Sequence, residues 1–96
     1  MNFDPAIILN KKDNFVENEV DGEIVIVPLE DDIVKVGSLF HLNETGSFIW
    51  NNIDGVNSLE DIKNLMLSSF DINAENVIKD IENFIEEVRM FVEFKN

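Results

Sequence analysis

The sequence has no cysteine, and that absence excludes several kinds of site together. Without thiols the chain forms no disulfide, thiolate zinc site or iron–sulfur cluster, and it has no cysteine nucleophile. Histidine is nearly missing too, because His41 is the only one in 96 residues. A metal site of nitrogen and sulfur ligands needs several such side chains, and one imidazole cannot supply them. We therefore expect neither a metal nor any other cofactor.

The motifs of common enzyme families are also missing. The chain contains no Gly-x-x-x-x-Gly-Lys phosphate loop, no Gly-x-Gly-x-x-Gly turn and no Gly-x-Ser-x-Gly elbow. The stretch from Asn52 to Asp61 faintly resembles a calcium-binding loop, but its first ligand position falls on Trp50, where an acid is required. No nucleophile, base and orienting group can be assembled from the sequence. The protein is therefore predicted not to be an enzyme.

Basic residues are few, and the resulting charge bears on the choice of partner. Seven Lys and Arg stand against twenty Asp and Glu, which gives a formal net charge of −13. Such a chain repels the phosphates of nucleic acids and the anionic surface of a membrane. A basic or neutral partner is the natural complement, although the same charge can serve solubility alone.

Long apolar runs and targeting segments are missing as well. No run approaches the ~20 residues that span a bilayer, and the N-terminus lacks the basic and apolar regions of a signal peptide. We therefore expect a soluble, cytoplasmic protein. The apolar fraction of 45% and the eight Phe residues indicate a folded chain, which we expect to form one domain over residues 1–96. Residues 1–13 cannot be assigned.

Three strands are predicted in the first half of the chain. Residues 15–20 and 23–29 flank Asp21-Gly22, a dipeptide favoured in tight hairpin turns that need positive φ. The second strand is apolar on both faces, which places it at the centre of a sheet, and Pro28 is expected to end it. Residues 39–42 form the third strand and hence a sheet edge.

The connector at 30–38 separates the second and third strands. It contains three consecutive acids and one glycine, and these residues suggest an exposed loop. Its middle part, residues 33–36, is apolar enough to lengthen the following strand. The sequence leaves these two alternatives open.

Three helices are predicted after the strands, over residues 44–53, from Ser58 to about Phe70, and over about 74–90. Each is preceded by a residue that can cap its first turn, namely Asn43, Ser58 and Asn73. Asp61 follows Ser58 by three positions and predicts an approximate capping box. Residues 91–94 alternate and predict a closing extended segment. This order of strands and then helices predicts an α+β domain, a three-stranded antiparallel sheet followed by three helices.

The last helix carries more apolar surface than one core-facing stripe. Val77, Ile81, Phe84, Val88 and Phe91 form the stripe itself. Ile78, Ile85 and Val92 form a second row, displaced to one side. This second row either deepens the core or lines a groove, and the sequence leaves both open.

The segment Leu-Phe-His-Leu-Asn-Glu-Thr-Gly-Ser-Phe-Ile-Trp at residues 39–50 carries a family resemblance. With Gly-Glu-Ile-Val-Ile-Val at 22–27 and Asp54-Gly55 it resembles the PqqD-like family. Further matches are Ser58-Leu59-Glu60-Asp61-Ile62, and Asp80-Ile81 with Phe84-Ile85. The resemblance covers roughly residues 14–92. Its Leu-Asn-x-x-Gly, Ile-Trp and Asp-Gly spacing is fairly specific, whereas the helical matches alone are weak.

This resemblance implies a winged-helix-like recognition element for ribosomally made, post-translationally modified peptides. In such proteins the leader peptide of a precursor adds as a strand to the exposed edge of the third strand, beside the third helix. The element then presents the precursor to a modifying enzyme, often a radical S-adenosylmethionine enzyme, or to a leader peptidase in lasso-peptide systems. The resemblance therefore implies binding without catalysis.

An unpaired sheet edge must be covered or used, so the residues themselves favour the same mechanism. The predicted peptide-binding residues are Leu39, Phe40, His41 and Leu42 of the strand, and Ile78, Ile81, Ile85 and Val92 of the helix side. Two other functions stay open: an adaptor that binds a protein partner, and a DNA-binding regulator, which the acidic helices disfavour. An apolar edge can also pair with a second copy, so a homodimer is compatible with the sequence.

Overall fold

The elements of the protein follow the predicted order of strands and then helices. The computed structural model describes residues 3–31, 33–34 and 39–95. The strands are β1 (Leu9–Lys11), β2 (Phe15–Val20), β3 (Glu23–Glu30), β4 (Ile33–Val34), β5 (Phe40–His41) and β6 (Val92–Phe94), and the helices are α1 (Glu44–Asn51), α2 (Leu59–Ser69) and α3 (Ala74–Val88). A 3₁₀ turn, Arg89–Phe91, joins α3 to β6. The predicted α+β class, with an antiparallel sheet and three helices, is confirmed.

The predicted hairpin forms the body of the sheet. Asp21 and Gly22 both have positive φ, 53° and 83°, as a two-residue hairpin turn requires. β3 is the central strand, because it pairs antiparallel with β2 on one side and with β4 and β5 on the other. β5 contacts the middle of β3, and β4 folds back on its end. The edge position predicted for the strand at residues 39–42 is therefore confirmed.

Pro28 does not end β3, contrary to the prediction. The strand continues to Glu30, and Pro28 lies opposite Phe15 in β2. The next residue, Leu29, donates its N–H to the carbonyl of Asn14 at 2.9 Å. Because successive residues of a strand turn their backbone groups to opposite sides, the Pro28 nitrogen faces away from β2. The proline therefore removes no hydrogen bond from the hairpin.

Part of the connector at 30–38 pairs with the sheet. The chain turns at Asp31, which has a φ of 52°, and β4 then pairs with the last two residues of β3. This short strand lies on the same side of β3 as β5. Residues 32 and 35–38 of the predicted connector lie outside the described residues. β5 covers two of the four residues predicted for the third strand.

The two chain ends form a separate two-stranded sheet. β1, in the segment that the sequence left unassigned, pairs antiparallel with β6, and Leu9 faces Phe94 in the register. The predicted extended segment at 91–94 is thus confirmed as β6. Lys95, just after β6, also contacts the turn between α1 and α2, because its Nζ donates to the carbonyl of Gly55 at 2.6 Å. β1 and β6 together close one side of the helical layer.

Side-chain caps begin all three helices, as predicted. Asn43 Oδ1 accepts the N–H of Gly46 at 2.8 Å, and Asn73 Oδ1 accepts that of Asn76 at 2.9 Å. Ser58 and Asp61 form the reciprocal capping box, with bonds of 3.1 and 2.9 Å. α1 and α3 end two residues earlier than expected, at Asn51 and Val88, within the usual uncertainty of helix ends. No helix in the described part of the chain is long and apolar enough to cross a bilayer.

Aromatic side chains join the sheet to the helices in the core. Trp50 is fully buried, and the Phe15 ring meets it edge-on at 5.2 Å between centroids. Phe91 is equally buried and receives the edges of Phe15 at 5.5 Å and Phe40 at 5.3 Å. The Trp50 indole N–H donates to Glu17 at 2.9 Å, so its one polar atom is satisfied. These contacts fix β2 and β5 against α1 and the end of α3.

A buried hydroxyl marks the point where the sheet passes into α1. Ser47 is 2% exposed; its Oγ accepts the N–H of Ile24 at 2.9 Å and donates to the carbonyl of Leu42 at 3.2 Å. The N–H of Leu42 still reaches the carbonyl of Ile24 directly, at 2.8 Å. Of the two backbone hydrogen bonds expected between Ile24 of β3 and Leu42, one is therefore formed directly and the other is replaced by the Ser47 bridge. This insertion opens the ladder just before Asn43 caps the helix.

We predict that Ser47→Ala lowers the free energy of unfolding by about 1–3 kcal/mol, since it leaves the Ile24 N–H and the Leu42 carbonyl buried without their partner. Urea unfolding followed by circular dichroism measures the change. Ser68→Ala is the matched control, because the Ser68 hydroxyl also bonds a backbone carbonyl, that of Asn64 at 3.1 Å, but at an exposed position. Its effect should stay within ~0.5 kcal/mol. Equal losses in the two variants would contradict the bridging role.

The turn between α1 and α2 is organised by one carboxylate. Asp54 Oδ1 accepts the N–H groups of Asn57 at 2.8 Å and Val56 at 2.9 Å, and Oδ2 accepts the Asn57 side-chain amide at 3.0 Å. The backbone N–H of Asn57, and then that of Val56, hold the pKa of the Asp54 carboxyl below its usual range. The turn is tied to β1, because Gly55 donates its N–H to the carbonyl of Leu9 at 3.0 Å.

This lowered pKa predicts a pH dependence of stability. A carboxyl whose pKa is lower in the folded than in the unfolded state contributes stability above its ordinary pKa of ~4, and loses it as the pH falls through the folded value. Asp54→Asn should therefore be less stable than the wild type near neutral pH and equally stable at ~pH 2. Urea midpoints across this range test the expectation. A difference independent of pH would show that the charge of Asp54 plays no part.

Candidate functional site

The outer edge of β5 presents unpaired backbone groups. Within the described residues, β5 pairs only with β3. Leu42 donates to Ile24 of β3, and Phe40 faces Ile26 in the register. Because backbone groups alternate along an antiparallel strand, the N–H and C=O of His41 then point away from β3, to the open side. Leu39, next to them, is half exposed. This edge can accept a further strand.

A groove of about 220 Å³ lies beside this edge. One wall consists of the end of β5 and the first turns of α1, and the other wall is α3. The α3 wall is formed by Asp80, Asn83, Phe84 and Glu87, which recur at the spacing of one helix face. An extended peptide on β5 would therefore lie between the strand edge and this face.

Phe84 and Gly46 form the floor of the groove. Phe84 is 6% exposed, and a Cβ built at Gly46 would stand 3.4 Å from its ring. The tighter contact of such a Cβ would be with the cap oxygen, Asn43 Oδ1, at 3.2 Å. Asn43 lies at the end of the groove. Its Oδ1 accepts the N–H of Gly46, which caps α1, and also the Thr45 hydroxyl at 3.1 Å. The floor is apolar and closely packed, whereas the rim is polar.

The side chains of the predicted strand residues do not all face the groove. Leu42 is 2% exposed and belongs to the core, and the Phe40 ring packs on Phe91. The imidazole of His41 is exposed and lies 3.0 Å from a carboxylate oxygen of Glu23. Consequently the backbone of this strand, more than its side chains, is what the edge offers to a partner.

The predicted helix wall is not brought to the strand edge. Ile81 is completely buried, so its side chain is core and cannot meet a peptide. Ile85 and Val92 line another groove of about 360 Å³ with Leu9, on the β1–β6 side of the molecule. Ile85 follows Phe84 by one residue, which turns it ~100° around the helix axis. Ile78 is partly buried on α3 and is not among the residues that line either groove.

The sequence does not predict the polar residues of the α3 wall. Asp80, Asn83 and Glu87 lack the apolar periodicity that identified the other rows of this helix. A signal was nevertheless present, because these three flank Phe84 at the positions i−4, i−1 and i+3. They are the residues of α3 that face β5 and α1. The charged members of this set are both acidic.

Comparison with known proteins identifies the family and the fold. The family profile for coenzyme PQQ synthesis protein D (PqqD) matches residues 23–90, from the start of β3 to the 3₁₀ turn after α3. No curated protein is significantly similar in sequence. The matched residues 23–90 include β5, α1 and α3, the elements that form the groove.

Two solved structures share the fold. One is TbiB1 in complex with the TbiA(beta) leader peptide, with a TM-score of 0.72, 22% identity, and coverage of 88% of this chain and 94% of that one. The other is lasso peptide synthetase B1 complexed with the leader peptide, with a TM-score of 0.71, 15% identity, and coverage of 88% and 96%. The resemblance predicted from residues 39–50 is confirmed: the chain belongs to the PqqD family.

Proposed function

We propose that this protein is a non-catalytic recognition protein for a ribosomally synthesised precursor peptide. The leader segment of the precursor adds as a strand to the outer edge of β5 and lies in the groove beside α3. The observation that carries the proposal is the outer edge of β5, where, among the described residues, the His41 backbone groups have no neighbouring strand and a groove lies beside them. Two structures with the same fold, both in complex with leader peptides, support it.

The energetics of such an addition require side-chain anchors. β5 is two residues long, so it offers few outward backbone groups. Each new backbone hydrogen bond contributes a net ~0.5–1.5 kcal/mol. An apolar leader side chain buried on the floor near Phe84 adds ~1.5–3 kcal/mol. After the cost of ordering the peptide, two or three anchors give affinities between about micromolar and nanomolar. The groove is therefore as important as the ladder.

We assign the chemical modification to a separate enzyme. The groove is lined by carboxylates, amides, an imidazole and apolar groups, and its hydroxyl, Thr45 Oγ1, is bonded to an amide oxygen rather than to a base. This arrangement holds a peptide without attacking it. The partner enzyme is a precursor-modifying enzyme, such as a radical S-adenosylmethionine maturase, or a leader peptidase. The recognition protein delivers the precursor by holding its leader.

Calorimetric titration with the leader segment of the precursor peptide tests the proposal directly. We expect binding with a dissociation constant between roughly 1 nM and 10 µM, since this range follows from two or three anchors. Absence of heat at roughly 100 µM peptide would rule the proposal out. If a precursor-modifying enzyme still bound this protein under those conditions, the adaptor function would take its place.

A proline at position 41 tests the mode of binding. His41→Pro removes an N–H that faces the open edge, and a proline is tolerated at such edge positions. The fold should survive, while the affinity for the leader falls about tenfold, because one strand-addition bond is lost and the ring crowds the edge.

His41→Ala is the matched control, since it removes the imidazole and keeps the N–H. Its affinity should stay within about twofold of the wild type, because the imidazole is exposed at the edge of the groove and is already paired with Glu23. Equal affinities for the proline and alanine variants, with intact circular dichroism spectra, would mean that the peptide does not pair with β5.

A further inference from the structure

Two carboxylates, those of Asp80 and Glu87, line the α3 wall of the groove. Neither makes a hydrogen bond or an ion pair with any residue that the structure describes. Other acids of the helical layer are paired: Glu75 with Lys79 at 3.6 Å, and Glu60 with Lys63 at 2.9 Å. The available cations of α2 and α3 are thus used outside the groove, and the carboxylates inside it are left open.

The groove has a single sign of charge apart from one imidazole. Its described lining includes no Lys or Arg, and His41, at its edge, lies against Glu23. Arg89, further along the chain after α3, pairs with Glu86 on another side of the helix. A cleft lined by one sign of charge between low-dielectric walls concentrates ligands of the opposite sign. The net charge of −13 reinforces this local potential.

We propose that this groove selects leader peptides with basic side chains on the side of the added strand that faces α3. The inference rests on the proposed function and specifies the substrate class of the same site. Phe84 lies between the two carboxylates along α3 and offers an apolar surface to the methylene stem of a Lys or Arg, whose charged end then reaches Asp80 or Glu87. The same groove disfavours leaders with acidic residues at those positions.

The spacing of the carboxylates limits where the basic residues stand. Asp80 and Glu87 are seven positions apart, which corresponds to ~10.5 Å along a helix. Side chains on one side of an extended strand recur every ~6.6 Å. Two basic residues two or four positions apart in the leader therefore fall within reach of both carboxylates, given the length of their side chains. A single basic residue would reach one of them.

Selection from a random library tests this inference without knowledge of the natural leader. Random twelve-residue peptides displayed on their own mRNA are selected on the full immobilised chain, on Asp80→Asn/Glu87→Gln, and on Glu19→Gln/Glu82→Gln. The last variant is the matched control, because it removes the same charge at positions that do not line the groove. His41→Pro serves as the chain with a blocked edge. Circular dichroism confirms that each variant is folded.

We expect the wild type and the control to enrich peptides with Lys or Arg at positions two or four apart, and the groove variant to lose that enrichment. Fluorescence anisotropy on one selected peptide should show a dissociation constant about fivefold to thirtyfold weaker for the groove variant, from two ion pairs partly covered by peptide. The control should change it less than about threefold, since distant surface charges are screened.

Four other outcomes would overturn the inference, and they separate it from the proposed function. Equal basic enrichment on the groove variant would mean that net charge alone attracts the peptides. Enrichment without a basic preference, lost on His41→Pro, would leave the peptide-binding function and remove the selectivity. No enrichment on the wild type, or the same peptides on His41→Pro, would remove both.

Discussion

The bridge made by the Ser47 hydroxyl is the interaction on which the candidate site depends. By standing between the Ile24 N–H and the Leu42 carbonyl, it holds β5 against β3 and at the same time ends their pairing. Asn43, which follows Leu42 in the chain, caps α1. The chain therefore passes from β5 into α1 within three residues, and β5 stays short. An edge that is short, fixed in position and open on one side is the direct result.

The packing of α1 on α3 places the groove beside that edge. Trp50 and Ile49 are buried and hold α1 in the core, and Gly46 in its first turn lies beside the Phe84 ring. The face of α3 that meets β5 is consequently the polar face around Phe84. The apolar side of the same helix, with Ile85, turns to β1 and β6 instead. A single helix thus closes the core on one face, lines the candidate groove on another, and supports the paired strands β1 and β6.

Local sequence signals predict most helices, strands and turns of this protein. They do not predict which elements pack or pair with one another. The Asp21-Gly22 turn and the caps at Asn43, Ser58 and Asn73 are decided by interactions within a few residues, so the sequence identifies them. Pro28 was misjudged because its effect depends on which side of β3 its nitrogen faces, and that follows from the register with β2. The sequence does not predict β1, because three residues are too few to show the alternation of a strand. Its partner β6 also lies at the other end of the chain.

The same limit explains why the predicted helix residues differ from those that line the groove beside β5. Periodicity shows that Ile81 and Ile85 are apolar at helical spacing, but it cannot show which element faces each of them. The residues that do face β5 are polar, and a search for an apolar wall passes over them. The strand was located correctly because an open edge follows from the order of strands. Its partner surface required the three-dimensional packing of α3.

Charge explains how an open edge can persist in this protein. Exposed strand edges tend to pair with further copies of the same chain, and charged residues beside them oppose this. Here Asp80 and Glu87 flank the edge of β5, while Glu17 and Glu19 lie on β2 at the opposite edge of the sheet. A second copy, itself at −13, would bring like charges to either edge. A homodimer through these edges is therefore disfavoured by the same carboxylates that favour a basic peptide, so protection and selectivity have one physical cause.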